Sequence, residues 1–572
     1  MDRMKRQGRT VAVGAILACL VGAGLAAAPG ADAGAPPTLL DVTTTEAVTD
    51  PGDGVRSLRE AIDAANGSAD VTIRLAEGAE YVLTDCDAID DGRLRADGTG
   101  TVIIAGRDAT IRQTCNAGVL ALYGGPVQLR DLTLTDGDAQ VCCGGGLDVI
   151  APGETVLLDR VRLVDNRTDD GSGGGGAFID AGSAIVRDSW IVANRATAGA
   201  GGGIRVEGDA ELIRTTVERN EAPASTGGGV MLASGAITDS TVADNSASTA
   251  GAVQSFGEVR LRHATIVDNV GDPAVSVFDV TLGGTVIAGP PGGAELCNFF
   301  SSVSLGQNYS TTDCGLGAAD VKNGPDPGLR RLFANGGFAP TAYLDEDSPL
   351  LDAVPAADPQ LRPTDQRSLP RPGGPAGDIG ALEVQPCGDR FTDVATGQPF
   401  CWEIGWLAAA GVTGGQVDGS FGALAPVTRA SMAAFLYRLA GSPPYTPGPV
   451  ATFPDVPVDH PFRAPVEWLA ANGVIGGYGD GTFRPGEPVT RQSMAAFLHR
   501  LASSPAVDTS GGPTFPDVPP SATLYVPVEW LASTGITGGF GDGTFRPTQP
   551  VTRRSMAAFL YRYVDGQPIL PA

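Results

Sequence analysis

The chain has 572 residues, a formal net charge of −26, 80 glycines and an aromatic fraction of 6%. Such an acidic surface repels nucleic acid, which excludes that partner, and a chain of this length predicts about three to four domains. Many glycines with few large core residues favour a thin, stacked β architecture over a helical one.

The N-terminus has the pattern of a secretory signal. Four basic residues within the first nine precede an apolar run from Val11 to Ala28, and Ala31-Asp-Ala33 supplies a cleavage site of small residues. We therefore predict a signal peptide over residues 1–33 and a secreted mature chain. No second apolar span follows, which predicts no transmembrane anchor in the mature chain.

The cysteines predict a disulfide-bonded protein. Eight of the nine follow the predicted signal peptide, an even number in an oxidising compartment. Cys142 and Cys143 are adjacent and either form a strained bridge or stay reduced. Proximity in the sequence pairs the other six as Cys86 with Cys115, Cys297 with Cys314 and Cys387 with Cys401.

No motif for a cofactor or a metal ion stands out. The chain has no CxxC pair, and acidic residues near Asp85, including Asp87, Asp90 and Asp91, do not match the spacing of an EF-hand loop. We predict no cofactor and no metal site, although these acidic residues leave calcium binding open.

The first regular element predicted is a short helix. Ser57 and Glu60 form a capping box, and Leu58 and Ile62 then fall on one apolar face. A lone helix ahead of a β region is suited to covering the open end of a solenoid.

A repeated β pattern follows from about Val71. Successive repeats end in asparagines separated by steps of 28, 26, 25 and 24 residues, and glycine clusters follow most of them. This pattern predicts a parallel β-helix whose asparagines stack and hydrogen-bond from coil to coil. Its narrow core should contain Leu212, Val217, Ile237, Val242, Leu261 and Ile266.

Residues 55–350 resemble secreted right-handed β-helix proteins. Arg56-Ser-Leu-Arg-Glu-Ala61 is similar to the CSLREA-type start, with Arg56 where that pattern has Cys. The resemblance implies a right-handed parallel β-helix over residues 38–383, closed by a "choice-of-anchor Q" tail and followed by a surface anchor. Six segments resemble that tail in order: Asp326-Pro-Gly-Leu, Asn335-Gly-Gly, Ser348-Pro-Leu-Leu-Asp352, Thr364-Asp-Gln-Arg367, Arg371-Pro and Asp378-Ile-Gly-Ala-Leu-Glu383.

Many β-helices cleave polysaccharides, which requires clustered carboxylates or a carboxylate with a basic residue. Asp and Asn at coil corners are also normal turn residues, so we assign no catalytic residue. The β-helix is predicted to have a binding, adhesive or structural role towards other glycans or surface proteins. The alternative is a wall-tethered polysaccharide lyase or glycoside hydrolase, for which the candidate groups are Asp165 with Arg167, Asp188 with Arg187, Asp244, and Asp268 near Arg262 and His263.

The C-terminal region is a tandem triplication. Thr490-Arg-Gln-Ser-Met-Ala-Ala-Phe-Leu-His-Arg500 has counterparts starting at Thr428 and Thr552, with a constant step of 62 residues. The predicted modules are module 1, residues 387–441, module 2, residues 450–503, and module 3, residues 513–566. Each combines two amphipathic helices with a glycine-rich loop.

All three modules resemble the S-layer homology (SLH) domain. The resemblance implies an α-rich, pseudo-threefold assembly that binds an anionic secondary cell-wall polysaccharide non-covalently, on a protein of the cell wall and cell surface. The fold class is therefore mainly β, a β-helix solenoid followed by the SLH assembly. The residues implied to bind the glycan are Arg429, Arg491 and Arg553, the capping residues Thr428, Thr490 and Thr552, and the loop residues Asp418, Asp480 and Asp542.

Two further features of the modules bear on the site. Trp406, Trp468 and Trp530 lie on apolar helical faces, which predicts core positions for them. The Glu of the usual Thr-Arg-Ala-Glu signature is replaced by serine in every module, at Ser431, Ser493 and Ser555. This change removes half of a capping box and makes the identity of the ligand uncertain.

Overall fold

The computed structural model describes residues 37–565, apart from residues 48, 51, 68, 87–91, 141–142, 172 and 290–294. The predicted signal peptide, Cys142 and the acidic residues Asp87, Asp90 and Asp91 lie outside the described residues. The described residues from Thr38 onwards form one compact unit by their internal contacts.

The β-helix is built almost entirely of parallel strands. The strands are β1 Thr38–Asp41, β2 Val71–Arg74, β3 Glu80–Leu83, β4 Leu94–Gly98, β5 Val102–Gln113, β6 Leu120–Gly124, β7 Val127–Thr135, β8 Asp138–Ala139, β9 Leu147–Val164, β10 Arg167–Thr168, β11 Ala177–Arg187, β12 Trp190–Val192, β13 Arg195–Ala196, β14 Ile204–Ile213, β15 Thr216–Glu218, β16 Glu221–Thr226, β17 Val230–Thr238, β18 Thr241–Ala243, β19 Ser246–Thr249, β20 Val253–Arg262, β21 Thr265–Val267, β22 Val275–Gly283, β23 Val286–Ala288, β24 Cys297–Ser304, β25 Tyr309–Ser310, β26 Leu329–Phe333 and β27 Thr341–Leu344.

Equivalent residues of successive turns stack in register inside the solenoid. Leu212 pairs with Ile237, and Ile237 pairs with Leu261, so apolar side chains form a continuous column. Val217 and Val242 belong to a second such column on the short strands. The six predicted core residues are at most 1% exposed. Full burial of each side chain contributes about 1.5–3 kcal/mol to stability.

A column of five asparagines stabilises one corner of the solenoid, as predicted. Each of the first four donates from Nδ2 to Oδ1 of the next, over 2.8–3.0 Å. A glycine is required beside this column. A Cβ on Gly176 would lie 2.9 Å from Cγ of Asn194, which is too close. The column comprises Asn166, Asn194, Asn220, Asn245 and Asn269, and all are buried.

A second corner carries a column of alternating charge. Its residues adopt left-handed backbone conformations with φ between 45° and 53°. Arg160 pairs with Asp131 at 2.5 Å, and Arg214 pairs with Asp188 at 2.6 Å, each across one turn. Asp239 continues the column and pairs at 2.8 Å with Arg362.

The tail, residues 326–383, folds back along the flank of the β-helix. Gln366 accepts a hydrogen bond from Thr241 through its side-chain oxygen and donates one to Thr216 through its nitrogen. Its motif residues form buried ion pairs, Arg367 with Asp365 and Arg371 with Glu383. The tail therefore has a structural role that explains its ordered motifs.

The helices are α1 at the N-terminal end of the solenoid and six more in the modules. The capping box of α1 is present as predicted, with Ser57 and Glu60 each bonding the other's backbone N–H. The bounds are α1 Leu58–Asp63, α2 Cys401–Ala409, α3 Arg429–Leu439, α4 Arg463–Ala471, α5 Arg491–Leu501, α6 Tyr525–Ser533 and α7 Arg553–Val564.

The six module helices form a closed ring. The second helix of each module packs against the first helix of the next: α3 on α4, α5 on α6, and α7 back on α2. The centre of the ring is a triangle of backbone hydrogen bonds in which Val427 donates to Val551, Val551 to Val489, and Val489 to Val427, over 2.8–2.9 Å. This geometry is the predicted pseudo-threefold arrangement.

The three predicted disulfides are present. Cys86 is bonded to Cys115, Cys297 to Cys314 and Cys387 to Cys401. The first two staple the solenoid, and the third ties the start of module 1 to α2.

Candidate glycan-binding grooves between the modules

The predicted glycan-binding residues lie where neighbouring modules meet. Three grooves result, each named by its arginine: groove A between modules 1 and 2 (Arg429), groove B between modules 2 and 3 (Arg491), and groove C between modules 3 and 1 (Arg553). The sequence alone places each arginine in its own module, but the ring brings it against the glycine-rich loop of the next.

The backbone N–H groups at the helix N-termini are already engaged. At the start of α5, the N–H groups of Arg491 and Gln492 donate to carbonyls of Gln549 and Pro547, both over 2.9 Å. Thr490 accepts from the N–H of Ser493 at 3.3 Å as the N-cap. The helices α3 and α7 repeat this pattern. A ligand must therefore be bound by side chains. The helix dipole contributes only a favourable electrostatic potential for an anion at the helix N-terminus.

Each arginine spans the boundary between two modules. Arg491 donates from Nε to the carbonyl of Phe545 at 2.6 Å and lies over the Phe545 ring at 4.6 Å. Arg429 makes the same contacts with Phe483, and Arg553 with Phe421. The three arginines therefore stabilise the ring, whichever of them contacts a ligand.

The grooves differ beyond this shared contact. In groove B the guanidinium of Arg491 also lies over Phe540 at 4.7 Å, and Arg546 covers the same ring at 3.9 Å. Groove A has Tyr478 and Arg484 in these positions. Groove C has Gln416 and Gly422 there, so its loop provides neither a second aromatic ring beside Phe421 nor a second cation.

The predicted loop aspartates lie at the exposed tips of the glycine-rich loops. Asp480 accepts hydrogen bonds from the backbone N–H and side chain of Thr482 and pairs with Arg484 at 3.0 Å. These bonds hold the pKa of Asp480 at about 2, led by the Thr482 hydroxyl. Asp542 does the same for Thr544 and Arg546, whereas Asp418 bonds Ser420 alone. Asp480 and Asp542 thus position the arginine of their loops.

Groove B contains a cavity of about 400 Å³. Three arginines line it, Arg491, Arg554 and Arg562, and no acidic side chain is among the described residues of its wall. Thr552 and Ser555 line it as well. Burial lowers the pKa of Arg491 to about 10, so this guanidinium stays charged at neutral pH.

Several groove residues escaped sequence reasoning. Tyr478, Phe540, Arg484 and Arg546 follow the step of 62 residues, but module 1 departs from them, which weakened the signal. Arg554 has Gln492 and Ala430 as counterparts and so has no repeat signal at all. The predicted core role of the tryptophans is confirmed, since Trp406, Trp468 and Trp530 are 1%, 6% and 3% exposed.

Two of the residue pairs considered for catalysis are not formed. Asp188 pairs with Arg214, not Arg187, and Arg167 pairs with Asp169 at 2.7 Å rather than with Asp165. His263 is buried beneath the tail, where its Nε2 lies 3.3 Å from the carbonyl of Gln360.

Asp244 differs from the other corner residues because it lines a cavity. This cavity, the corner cleft, has a volume of about 390 Å³ and is also lined by Glu218, Trp190, Arg219 and Arg331. Glu218 is buried and accepts a hydrogen bond from the indole N–H of Trp190 at 3.0 Å. Burial raises the pKa of both carboxyl groups, an effect that Arg219 opposes.

The family model for the S-layer homology domain matches residues 390–433, 452–495 and 514–557. Within the described ranges, no helix is long and apolar enough to cross a membrane. The same part of the chain holds no cluster of three or more His, Cys, Asp or Glu side chains suited to a metal ion.

Curated relatives match the chain in part. The S-layer protein sap of Bacillus anthracis is 33% identical over 110 residues, which is 19% of this chain and 13% of that protein. The cellulosome-anchoring protein of Acetivibrio thermocellus is 28% identical over 150 residues, 25% of this chain and 33% of that protein. The outer membrane protein SlpA of Thermus thermophilus is 48% identical over 52 residues, 9% of this chain and 6% of that protein. The chain thus spans at most a third of the length of these relatives.

Among solved structures, pectate lyase Pel9A aligns with 61% of this chain and 97% of its own length, at 13% identity and a TM-score of 0.37. The three SLH domains and the surface-layer relatives indicate a protein of the cell surface, associated with the cell wall.

Proposed function

We propose that the three SLH modules anchor the protein by non-covalent binding of an anionic cell-wall polysaccharide, and that grooves A and B are the binding sites. The observation that carries this proposal is the cavity of groove B, which Arg491, Arg554 and Arg562 line and in which no carboxylate is among the described lining residues. Guanidinium groups bind carboxylate and phosphate oxygens through paired, charge-assisted hydrogen bonds.

The number of free hydrogen-bond donors on each arginine favours groove B over groove A. Arg491 donates only from Nε within the described part of the chain, which leaves both terminal nitrogens for a ligand. In groove A, Arg429 also donates from a terminal nitrogen to Gly476 at 2.9 Å. Groove C lacks the second aromatic ring and the second arginine, so we assign Arg553 a structural role.

The test compares Arg491→Ala with Arg553→Ala in the full mature chain, measured by co-sedimentation with purified cell walls. Both variants lose the same contact to a phenylalanine carbonyl, and leaving that acceptor unpaired costs about 1–3 kcal/mol of stability in each. Only Arg491→Ala also loses hydrogen bonds to a charged ligand, which weakens wall binding by roughly 10- to 100-fold.

Thermal unfolding of both variants provides the control for folding. Equal wall binding by Arg491→Ala, Arg429→Ala and wild-type protein would overturn the assignment of grooves A and B. Loss of binding in Arg553→Ala alone would move the site to groove C. Walls stripped of their polysaccharide should retain none of the proteins.

A second candidate function belongs to the corner cleft of the β-helix. Glu218 and Asp244 have raised pKa values beside Arg219 and Arg331, and a pair of carboxyl groups in a cleft is what glycoside hydrolysis requires. The same indole and guanidinium contacts also suit a site that binds a sugar without cleaving it.

Glu218→Gln and Asp244→Asn separate these two readings of the cleft. Incubation with acidic and neutral polysaccharides, followed by reducing-end assay, should show no cleavage by wild-type protein if the β-helix has a binding or structural role. Cleavage that both substitutions abolish, with folding intact by circular dichroism, would establish the enzymatic alternative.

A further inference from the structure

A second large cavity lies where the tail of the β-helix meets module 1. This junction cavity has a volume of about 650 Å³ and is formed by residues 343–386 of the tail and its linker together with residues 387–403. Cavities that bind small organic ligands have volumes of about 300–1,000 Å³. The site is separate from the corner cleft and from the polar contacts of groove B.

The charge of the junction cavity is opposite to that of groove B. Four carboxylates line it, Glu346, Asp352, Asp378 and Glu403, and no Lys, Arg or His is among its described lining residues. An anionic polysaccharide is therefore repelled here. A ligand with a positive charge is favoured instead.

Two of these carboxylates have structural roles. Asp378 accepts hydrogen bonds from the backbone N–H groups of Asp352 and Val384, and Asp352 accepts one from Ala376. Glu403 is different, because its partly buried carboxylate bonds only its own backbone N–H among the described residues, while Arg562, Glu346 and Arg330 act on it through their charge alone. With Glu346, it is a carboxylate that can meet a ligand.

Aromatic rings supply the apolar walls. Trp402 and Tyr343 meet edge to face with centroids 5.9 Å apart, and Phe400 lies at the other side. The indole N–H of Trp402 donates to the hydroxyl of Tyr561 at 3.0 Å, which fixes the ring. Rigid aromatic rings beside carboxylates are the usual surroundings of a bound ammonium group, and aromatic faces also stack on sugar rings.

Comparison of the modules shows that this chemistry is specific to module 1. Trp402 has Ala464 and Val526 as counterparts, and Glu403 has Pro465 and Pro527. Docking of the tail explains why module 1 has a tryptophan at position 402, since Trp402 contacts Tyr343 and Tyr561. Docking does not explain Glu403, which contacts neither side of the junction through a hydrogen bond.

We propose that the junction cavity binds an unacetylated amino sugar of a surface glycan, with Glu403 as the partner of its ammonium group and Trp402 as its stacking surface. Burial raises the pKa of Glu403, and a bound ammonium group favours the ionised form. Affinity should therefore increase as the pH rises through the titration of Glu403 and fall once the amine loses its proton.

The site adjoins groove B, because Phe400 lines both cavities and the charge of Arg562, which lines groove B, acts on Glu403. One glycan chain that carries an anionic unit and an amino sugar would meet complementary charge in each. The two sites are tested separately, because Arg491→Ala affects one and Glu403→Gln the other.

The test is isothermal titration of the full mature chain with a glucosamine trisaccharide and with its fully N-acetylated counterpart. We expect binding of the first only, and a loss of at least tenfold in affinity in Glu403→Gln. Glu154→Gln, an exposed glutamate on β9, is the matched control and should bind like the wild type. Wall sedimentation of Glu403→Gln through groove B should persist.

Equal binding of both trisaccharides would overturn ammonium recognition, and an unchanged affinity in Glu403→Gln would overturn the assignment of that residue. If a lysine-containing peptide binds in a Glu403-dependent manner and the glucosamine trisaccharide does not, the assignment of an amino sugar as the ligand would be overturned. No binding by wild-type protein would overturn the site itself, whereas failure of Arg491→Ala to weaken wall binding would concern groove B alone.

Discussion

Single residues in this protein acquire their roles from what the fold places beside them. Arg491 and Arg553 occupy equivalent positions and make equivalent contacts to a phenylalanine, and Arg491 in addition lines a cavity with Arg554 and Arg562. Ser555, which replaces the usual glutamate, lines that cavity too. A small hydroxyl there keeps negative charge out of the groove, which agrees with an anionic ligand.

His263 has a predictable effect on the pH dependence of stability. Burial, followed by the charge of Arg371, lowers its pKa to about 3 from an ordinary value of 6.5. Because the unfolded chain binds the proton more readily, stability is lost as the pH falls below 6.5. The contribution between pH 6.5 and pH 5 is about 2 kcal/mol.

His263→Gln removes this group. The midpoint temperature of thermal unfolding should therefore fall less steeply for the variant than for the wild type as the pH is lowered from 7 to 5. His460→Gln, in module 2, serves as the control and should follow the wild type. Parallel curves for His263→Gln and wild type would show that the imidazole does not titrate with the folding transition.

At the scale of elements, the β-helix is stabilised by columns that run along its axis. The asparagine column satisfies buried backbone groups at one corner, and the Asp–Arg column pairs charges at another. In the Asp–Arg column the backbone is left-handed, a conformation that the short polar side chain of aspartate tolerates.

Asn220→Ala tests the asparagine column. The substitution leaves the N–H of Asn194 and the carbonyl of Ile191 without partners, both in the buried interior. We expect a loss of about 2–6 kcal/mol in the free energy of unfolding, at about 1–3 kcal/mol for each of the two orphaned groups. Denaturant titration measures it, and Asn298→Ala on the exposed face of β24 should change stability by less than about 0.5 kcal/mol.

The disulfide Cys387–Cys401 replaces an interaction that module 2 makes with side chains. Arg463, the counterpart of Cys401, pairs with Glu467 at 2.9 Å and donates to the carbonyl of Gly448 at 2.5 Å. In module 1 the counterpart of Glu467 is Gly405, where a Cβ would lie 3.2 Å from Cβ of Cys387.

Replacing both Cys387 and Cys401 by serine should lower stability by about 3 kcal/mol, the value for a loop of about 15 residues. Reducing agent should destabilise the wild type by about 3 kcal/mol more than the double variant, because the two solenoid disulfides are lost from both proteins. Equal stability of the oxidised wild type and the double variant would contradict this account.

At the scale of the whole molecule, the tail joins the β-helix to the ring of modules. Arg330 of the tail lies over the ring of Tyr561 at 3.7 Å and donates to its carbonyl at 3.0 Å. The indole N–H of Trp406 donates to Asn335 at 2.9 Å. The displayed solenoid is therefore fixed to its anchor rather than tethered by a loose linker.

This coupling predicts a single unfolding transition in calorimetry for wild-type protein. Asn335→Ala leaves the Trp406 N–H and the carbonyl of Thr341 unpaired at the junction. We expect the modules to unfold separately in this variant, at a lower temperature than the β-helix. Asn298→Ala is again the control, and one unchanged transition in Asn335→Ala would show that the junction does not couple the two parts.

The sequence by itself determined the repeats and everything that follows from local spacing. The asparagine steps, the capping box of α1, the step of 62 residues and the nearest-neighbour disulfides were all predicted, because periodic patterning and short-range pairing are recorded along the chain. The signal peptide and the individual glycan-binding residues remain predictions.

Only the tertiary structure decided which distant segments meet. Closure of the ring places Arg553 on Phe421, 132 residues earlier, and the tail places Gln366 on Thr216, 150 residues earlier. It also made the three grooves unequal and formed the corner cleft and the junction cavity. Such sites depend on surfaces that no local pattern records, because their charge and shape arise only when separate elements pack together.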